Sequence, residues 1–365
     1  MKIAKKYSVW RRRISDALLS IVVVIVSVLV GALLVNFEGR NPILAYETII
    51  TSTFGSPATI ANTLSQSGPL IFVCAGLVLA FKGSFWNGGG EGQMLLGGMT
   101  GIMATYSLHI NNTPLLLLAG FVAAFIVSGV WASISGILKV AFGIDDIVSS
   151  LLLSTVGAFI VFYLVRVPFA SSATSSAAVL SSVNIPNAAI FPSIYGINGI
   201  FPLSIVCAVV MGWVMAKTKF GFRVKVLGSN RNTAVAYFGK SSTDLLYILV
   251  AFLSGGLIGM GGMAMVSAFT GNMVAGASGG AYSAGGFTNS YGFIGIAVVF
   301  LAGLDAIAAI PASIFFVTLV LGGLGLLVFM AIPTALTITI SGIAILFVSA
   351  RVPILERVKA LRRLK

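Results

Sequence analysis

Charge is what this sequence has least of. Only 8% of its 365 residues are Asp, Glu, Lys or Arg, where a soluble domain carries about 25%. A chain so poor in charge cannot cover itself with a polar surface. With 58% hydrophobic residues, it reads as a polytopic membrane protein. Histidine occurs once, as His109 beside the polar Asn111-Asn112 turn, and cysteine twice, as Cys74 and Cys207 within apolar runs. That scarcity argues against a His/Cys metal cluster and makes the cysteines buried thiols, not a disulfide. Acids number nine, and no nucleophile–base set assembles from them, so the chain does not read as an enzyme. Asp145 and Asp146 are adjacent, so on a helix they face different ways. They suit a capped or solvated helix end better than a catalytic pair.

What charge there is has a pattern. The net charge of +13 comes from 22 Lys/Arg, and 18 of these lie in three groups of six: residues 1–16, 217–242 and 351–365. Clusters confined to tails and one loop follow the positive-inside rule. They do not form a groove for nucleic acid, and contact with anionic membrane lipid is their further consequence. The stretch 217–242, KTKFGFRVKVLGSNRNTAVAYFGKSS, holds no acid. It cannot lie in hydrocarbon, so it belongs to the cytoplasm and divides the spans into two groups.

The apolar run from Ala17 to Val35 is too long for a signal-peptide core and reads as an uncleaved first span. Spans are expected near 17–36, 58–82, 93–108, 114–140, 147–165, 199–216, 243–268, 291–303, 308–330 and 334–350. The expected fold is an all-α polytopic membrane protein of about ten transmembrane helices, some short or broken, with cytoplasmic N- and C-termini. Basic tails 1–16 and 351–365 flank one transmembrane domain, 17–350. Within it, 166–198, with Pro168, Pro186 and Pro192, is the longest external segment. Pro69, after Ser67-Gly68, predicts a break in the second span, as transporters have near their substrate path. Residues 83–98 and 284–298 echo one another, each running from a glycine-rich break into an apolar span.

Two motif look-alikes fail on context. Ala234 to Ser241 fits a relaxed phosphate-loop pattern, but Tyr237 and Phe238 fill the loop and no strand precedes it. Gly259-Met260-Gly261-Gly262-Met263-Ala264 resembles a dinucleotide fingerprint but lies inside a span, where close helix packing explains it. The stretch Phe85-Trp86-Asn87-Gly88-Gly89-Gly90-Glu91-Gly92-Gln93 differs from both. It sets a carboxylate, two amides and two aromatics at a break between short apolar runs. Polar groups at membrane depth are costly and mark function. The stretch is either a cytoplasmic turn or a re-entrant lining of a cavity.

Here a resemblance enters. W-N-G-G-G-E-G-Q resembles the F-N-I-G-x-E-G-Q signature of ABC-importer permeases of the nucleoside (basic membrane protein) type, relatives of ribose and branched-chain amino-acid permeases. Gly221 to Asn230, with Ala234 and Tyr237-Phe238-Gly239, resembles that family's G-x-x-x-R-A-x-G-x-N-x-x-A-A-x-Y-x-G segment. Tyr291-Gly292-Phe293-Ile294-Gly295-Ile296-Ala297-Val298 is similar to its G-F-x-G-I-A-V, and Gly143-Ile144-Asp145-Asp146-Ile147-Val148 stands where it has N-E-V-I. The matches fall in family order over most of the chain. Trp86, Gly88 and Lys225 replace the usual Phe, Ile and Arg, Ser154 stands where Asn is often seen, and no proline follows near Asp305.

The resemblance implies the permease subunit of an ABC importer for nucleosides, in the plasma membrane of a prokaryote. An external substrate-binding lipoprotein, a second and different permease chain and a cytoplasmic ATPase would complete it. ATP and Mg would sit on that ATPase, with no cofactor on this chain. The 217–242 segment would then be the coupling loop. Its residues for meeting the ATPase are Gly221, Arg223, Lys225, Gly228, Asn230, Arg231, Tyr237 and Gly239, with Arg223, Lys225 and Arg231 pairing with the partner's acids. A neutral solute with a flat base and a sugar asks for aromatic faces and neutral hydrogen-bonding groups. Phe85, Trp86, Asn87, Glu91, Gln93, Asn289, Tyr291 and Phe293 are the pathway candidates. The alternatives are an ABC permease for a sugar such as ribose, and a stand-alone secondary transporter, against which the scarcity of ionisable residues within spans speaks.

Overall fold

The computed structural model describes residues 29–110, 112–171, 179–276 and 285–332, with positions 339 and 342. Both basic tails, most of the spans expected at 17–36 and 334–350, and residues 277–284 lie outside the described residues. The chain divides into two units, one of residues 1–59 and 316–365 and one of residues 60–315.

In the first unit, helix 29–37 leads to α1 (Pro42–Phe54). Asn41 starts α1 by accepting the Ile43 N–H at 2.9 Å, and Pro42 fits the first turn, which needs no donor. Among the described residues Val35, Ala45, Leu326 and Ile332 form an apolar cluster in it. Gly322, with no side chain, leaves room for Ile49 to pack closely.

The second unit is helical, with two short β pairings. Its run of helices opens with α2 (Pro57–Lys82) and closes with α12 (Ala309–Met330). Between them in sequence come α3 (Gly90–Ser107), α4 (Thr113–Phe142), α5 (Asp146–Arg166), α6 (Ile200–Lys217), α7 (Lys219–Ser229), α8 (Arg231–Phe238), α9 (Lys240–Met265), the four-residue α10 (Gly285–Thr288) and α11 (Tyr291–Leu301). A π-turn, Val266–Thr270, extends α9. Antiparallel β1 (Val179–Ser181) and β4 (Val274–Gly276) pair across the sequence. β2 (Ser193–Ile194) and β3 (Ile197–Asn198) form a hairpin turned by Tyr195 and Gly196, both at positive φ.

At the centre of this unit α3, α4 and α9 pack against one another, and glycine makes it possible. A Cβ on Gly97 would strike the backbone of Gly259, one on Gly262 would strike the Met94 carbonyl, and one on Gly255 would lie 2.6 Å from the Ser128 carbonyl. The fingerprint-like glycines of α9 are therefore a helix-packing face.

Among the described residues, six helices are long and apolar enough to cross a membrane: α2, α4, α5, α6, α9 with its π-turn, and α12. α11 has 11 residues, about 16 Å at 1.5 Å each, roughly half a hydrocarbon core. The break expected at Pro69 does not occur, because α2 runs through it. Ser67 and Gly68 are buried and small, and Gly261 of α9 sits where a Cβ would be 2.9 Å from the Pro69 carbonyl. A neighbouring helix pressed on the site holds the backbone that proline weakens.

Candidate functional site

The glycine-rich stretch after α2 is held by one amide. Asn87 is fully buried; its Oδ1 accepts from Gly89 N (3.1 Å) and Gln93 Nε2 (2.9 Å). Its Nδ2 donates to Gln93 Oε1 (2.9 Å) and to Ser254 Oγ of α9 (3.0 Å). Both donors and both acceptor positions are used. The Gln93 carbonyl accepts from Ser128 Oγ at 2.8 Å. Asn87 and Gln93 thus fix the start of α3 against α4 and α9.

A second set of bonds comes from α5. The Trp86 N–H donates to Asp146 Oδ2 (3.2 Å), the Gly88 N–H to Ser150 Oγ (3.0 Å) and the Gly92 N–H to Ser154 Oγ (2.8 Å). The three acceptors are four residues apart and so share one face of α5. This stripe holds the glycine-rich backbone along its length.

Glu91 joins this stretch to the second glycine-rich break. Its Oε1 accepts from the Thr288 hydroxyl and its Oε2 from the Gly292 N–H at 3.0 Å. Gly90 and Gly292 lie backbone to backbone: a Cβ on Gly90 would be 2.9 Å from the Gly292 carbonyl. Asn289 and Ser290 turn the chain with φ of 49° and 57° into the first turn of α11. One carboxylate therefore lies at the N-termini of both α3 and α11, where helix dipoles favour negative charge.

The eight pathway candidates divide into several settings. Asn87, Gln93 and Glu91 are the bonded centre just described, and Tyr291 is buried beside it. Phe85 is buried in a different apolar cluster, edge-on to Tyr247 at 5.8 Å. Trp86 is 47% exposed and packs with Phe81 (5.3 Å) and Phe300 (6.0 Å). Asn289 is half-buried and Phe293 exposed.

The basic segment folds as two short helices. Thr218 caps α7 by accepting the Gly221 N–H at 3.1 Å; Asn230 caps α8 through Asn232 N (2.8 Å) and Thr233 N (3.2 Å). Val224, Leu227 and Ala234 turn inward, in one cluster with Phe85, Tyr247 and Val250. Gly221 closes on α6, where a Cβ would be 2.6 Å from Met215 Cα, and a Cβ on Gly228 would strike the Lys82 carbonyl. Outward stand Arg223, Lys225 and Asn230, with Phe222 at 62% and Tyr237 at 79% exposure. A cleft of about 480 Å³ runs between Lys217, Phe222, Arg223 and Phe238. Arg231 is engaged within the chain: its guanidinium pairs with Asp244 Oδ1 at 2.7 Å and lies 5.5 Å over the Tyr247 ring. Arg223 lies 5.4 Å over Phe238. Gly239 (φ 80°) joins helix α8 to helix α9, so the phosphate-loop look-alike is helix–glycine–helix. Among the described residues no three His, Cys, Asp or Glu side chains gather to hold a metal.

Reading the sequence missed Asp146. Asp145 is the cap of α5, accepting the Ile147 N–H at 2.9 Å. Asp146 is 4% exposed, paired with Lys139 Nζ at 3.1 Å and bonded to the Tyr247 hydroxyl. The spacing of Asp146, Ser150 and Ser154 was the available signal.

Residues 59–349 match the family described as branched-chain amino acid transport system / permease component. The chain is 29% identical to the glucose ABC transporter permease protein TsgB13 of Haloferax volcanii, over 90% of this chain and 85% of that protein. It is 26% identical to the nucleoside ABC transporter permease protein NupB of Lactococcus lactis (85% and 84%) and 23% to the guanosine ABC transporter permease protein NupP of Bacillus subtilis (93% and 94%). With the family match covering most of its length, its apolar helices and its relatives among ABC transporter permeases, the chain belongs to the branched-chain amino acid transport system permease family, as a multi-pass subunit of the prokaryotic plasma membrane.

Proposed function

We propose that this chain forms one half of the translocation pathway of an ABC importer for nucleosides, driven by ATP hydrolysis on a separate ATPase. The observation that carries the reading is its similarity, over most of both chains, to permeases named for nucleosides and for guanosine. The composition of the break region agrees. Apart from Asp146, which is ion-paired with Lys139, its hydrogen-bonding side chains are neutral amides and hydroxyls and the Glu91 carboxylate, engaged by Thr288 and Gly292. Such surroundings suit a neutral solute. Residues 83–93 and 289–293 line or support the pathway in this reading.

The reading takes ten spans, with both termini and 217–242 in the cytoplasm and 166–198 outside. In it α7 and α8 are the coupling helices, and their exposed Phe222, Arg223, Lys225 and Tyr237 meet the ATPase. Arg231, part-exposed and paired with Asp244, stands beside them. An external binding lipoprotein and a second, different permease chain complete the importer. A sugar as cargo is the second reading, favoured by the similarity to the glucose permease.

The test is competition. Cells expressing this chain with its partner permease, ATPase and binding protein are given labelled guanosine with excess unlabelled nucleosides or glucose. Nucleosides that compete, with glucose inert, support the proposal. Uptake of labelled glucose but not guanosine changes the cargo and keeps the machine.

A further inference from the structure

We infer that Asp146 is a positioning residue that passes movement of the coupling helices to the glycine-rich stretch at the start of α3. The inference rests on the coupling role proposed above for α7 and α8.

Two physical links run from those helices to residues 82–86. The first is steric. Gly228, near the end of α7, sits against the Lys82 carbonyl so closely that no side chain fits between them. The second is polar. Arg231, the first residue of α8, lies over the Tyr247 ring and pairs with Asp244, one turn earlier on α9. The Tyr247 hydroxyl donates to Asp146 Oδ2, and the same oxygen accepts the Trp86 N–H at 3.2 Å. Lys139 Nζ holds the other oxygen at 3.1 Å. One buried carboxylate therefore joins α4, α5, α9 and the glycine-rich stretch.

From Trp86 the path continues in hydrogen bonds. Gly88 and Gly92 are held by Ser150 and Ser154, Asn87 by Gln93 and Ser254, and Glu91 reaches Gly292. A displacement at Trp86 is thus delivered to both glycine-rich breaks. There is room for it: a cavity of about 310 Å³ lies between Trp86, Asp146, Tyr247 and the α7–α8 junction at Gly228–Arg231. Interfaces and packed cores move between discrete arrangements instead of deforming smoothly. The test separates transmission from docking and from folding.

The test uses the whole importer in proteoliposomes: this chain, its partner permease, the ATPase and the binding protein. The probe is labelled guanosine, or labelled glucose if that is what the wild-type complex takes up. Tyr247→Phe removes only the hydroxyl and keeps the ring beside Phe85 and Arg231; Asp146→Ala removes the junction. The readout is solute moved per ATP hydrolysed, alongside ATPase co-purification. Both variants are expected to retain the ATPase and to hydrolyse ATP, with solute per ATP falling about tenfold, the scale of one hydrogen bond to a charged group. Wild-type transport per ATP in Tyr247→Phe overturns the inference, and so does loss of the ATPase from that complex, which would make the contact a docking element. A wild-type complex with no ATP-driven uptake overturns the importer reading itself, an outcome distinct from normal wild-type transport with normal variants.

Discussion

Glu91 and Gly292 stand 201 positions apart in sequence, yet the Glu91 Oε2 oxygen accepts the Gly292 N–H at 3.0 Å. The bond ties the first turn of α3 to the first turn of α11. Glu91→Gln keeps one acceptor and loses the charge that both helix ends favour. We expect it to destabilise the protein by about 1–2 kcal/mol, seen as a lower unfolding midpoint in detergent. Thr288→Val added to Glu91→Gln should cost less than it does alone, because the two share one bond.

Asn87 and Gln93 predict non-additivity. Each single alanine removes the two bonds that join the amides and leaves buried polar atoms of the other one unpaired, at about 1–3 kcal/mol. Removing both costs less than the sum, with a coupling of about 0.5–3 kcal/mol in a double-mutant cycle. Additive effects would show that the paired amides are not a unit.

Close packing of α3 on α9 predicts intolerance at Gly262. Its missing Cβ points at the Met94 carbonyl, and backbone cannot turn aside as a side chain does. Gly262→Val should cost at least the roughly 1–3 kcal/mol of core overpacking. Size-exclusion chromatography would report it as loss of the monodisperse species. An unchanged elution profile with normal yield would contradict the packing described.

Phe222 and Tyr237 are exposed aromatics on a basic surface. Buried aromatic anchors dominate interfaces, so with α7 and α8 as the proposed coupling helices Phe222→Ala or Tyr237→Ala should weaken association with the ATPase about tenfold or more. The thermal stability of the permease should stay unchanged, since neither ring is packed in its core. Co-purification at graded ATPase concentrations measures the first effect.

Much of this was legible in the sequence, for definite reasons. Long apolar runs fixed the six spanning helices to within a few residues, because burial in lipid leaves no other backbone solution. The glycine-rich breaks at 83–92 and near 290 stood out, because there glycines stand beside polar side chains between apolar runs. What stayed hidden were long-range partners. Pro69 looked like a break, because a sequence does not show that Gly261 of another helix will press on it. Asp146 passed for a solvated helix end beside Asp145, because its partners Lys139, Tyr247 and Trp86 are brought together only by the fold. The pairing of Arg231 with Asp244 was hidden in the same way, because the fold alone brings the two together.

The most direct test of the importer account is accumulation of labelled guanosine by cells carrying this chain, its partner permease, the binding protein and the ATPase, compared with cells whose ATPase cannot hydrolyse ATP. The account predicts accumulation in the first and only background in the second. Equal accumulation in both would contradict it and identify a carrier that works without the ATPase.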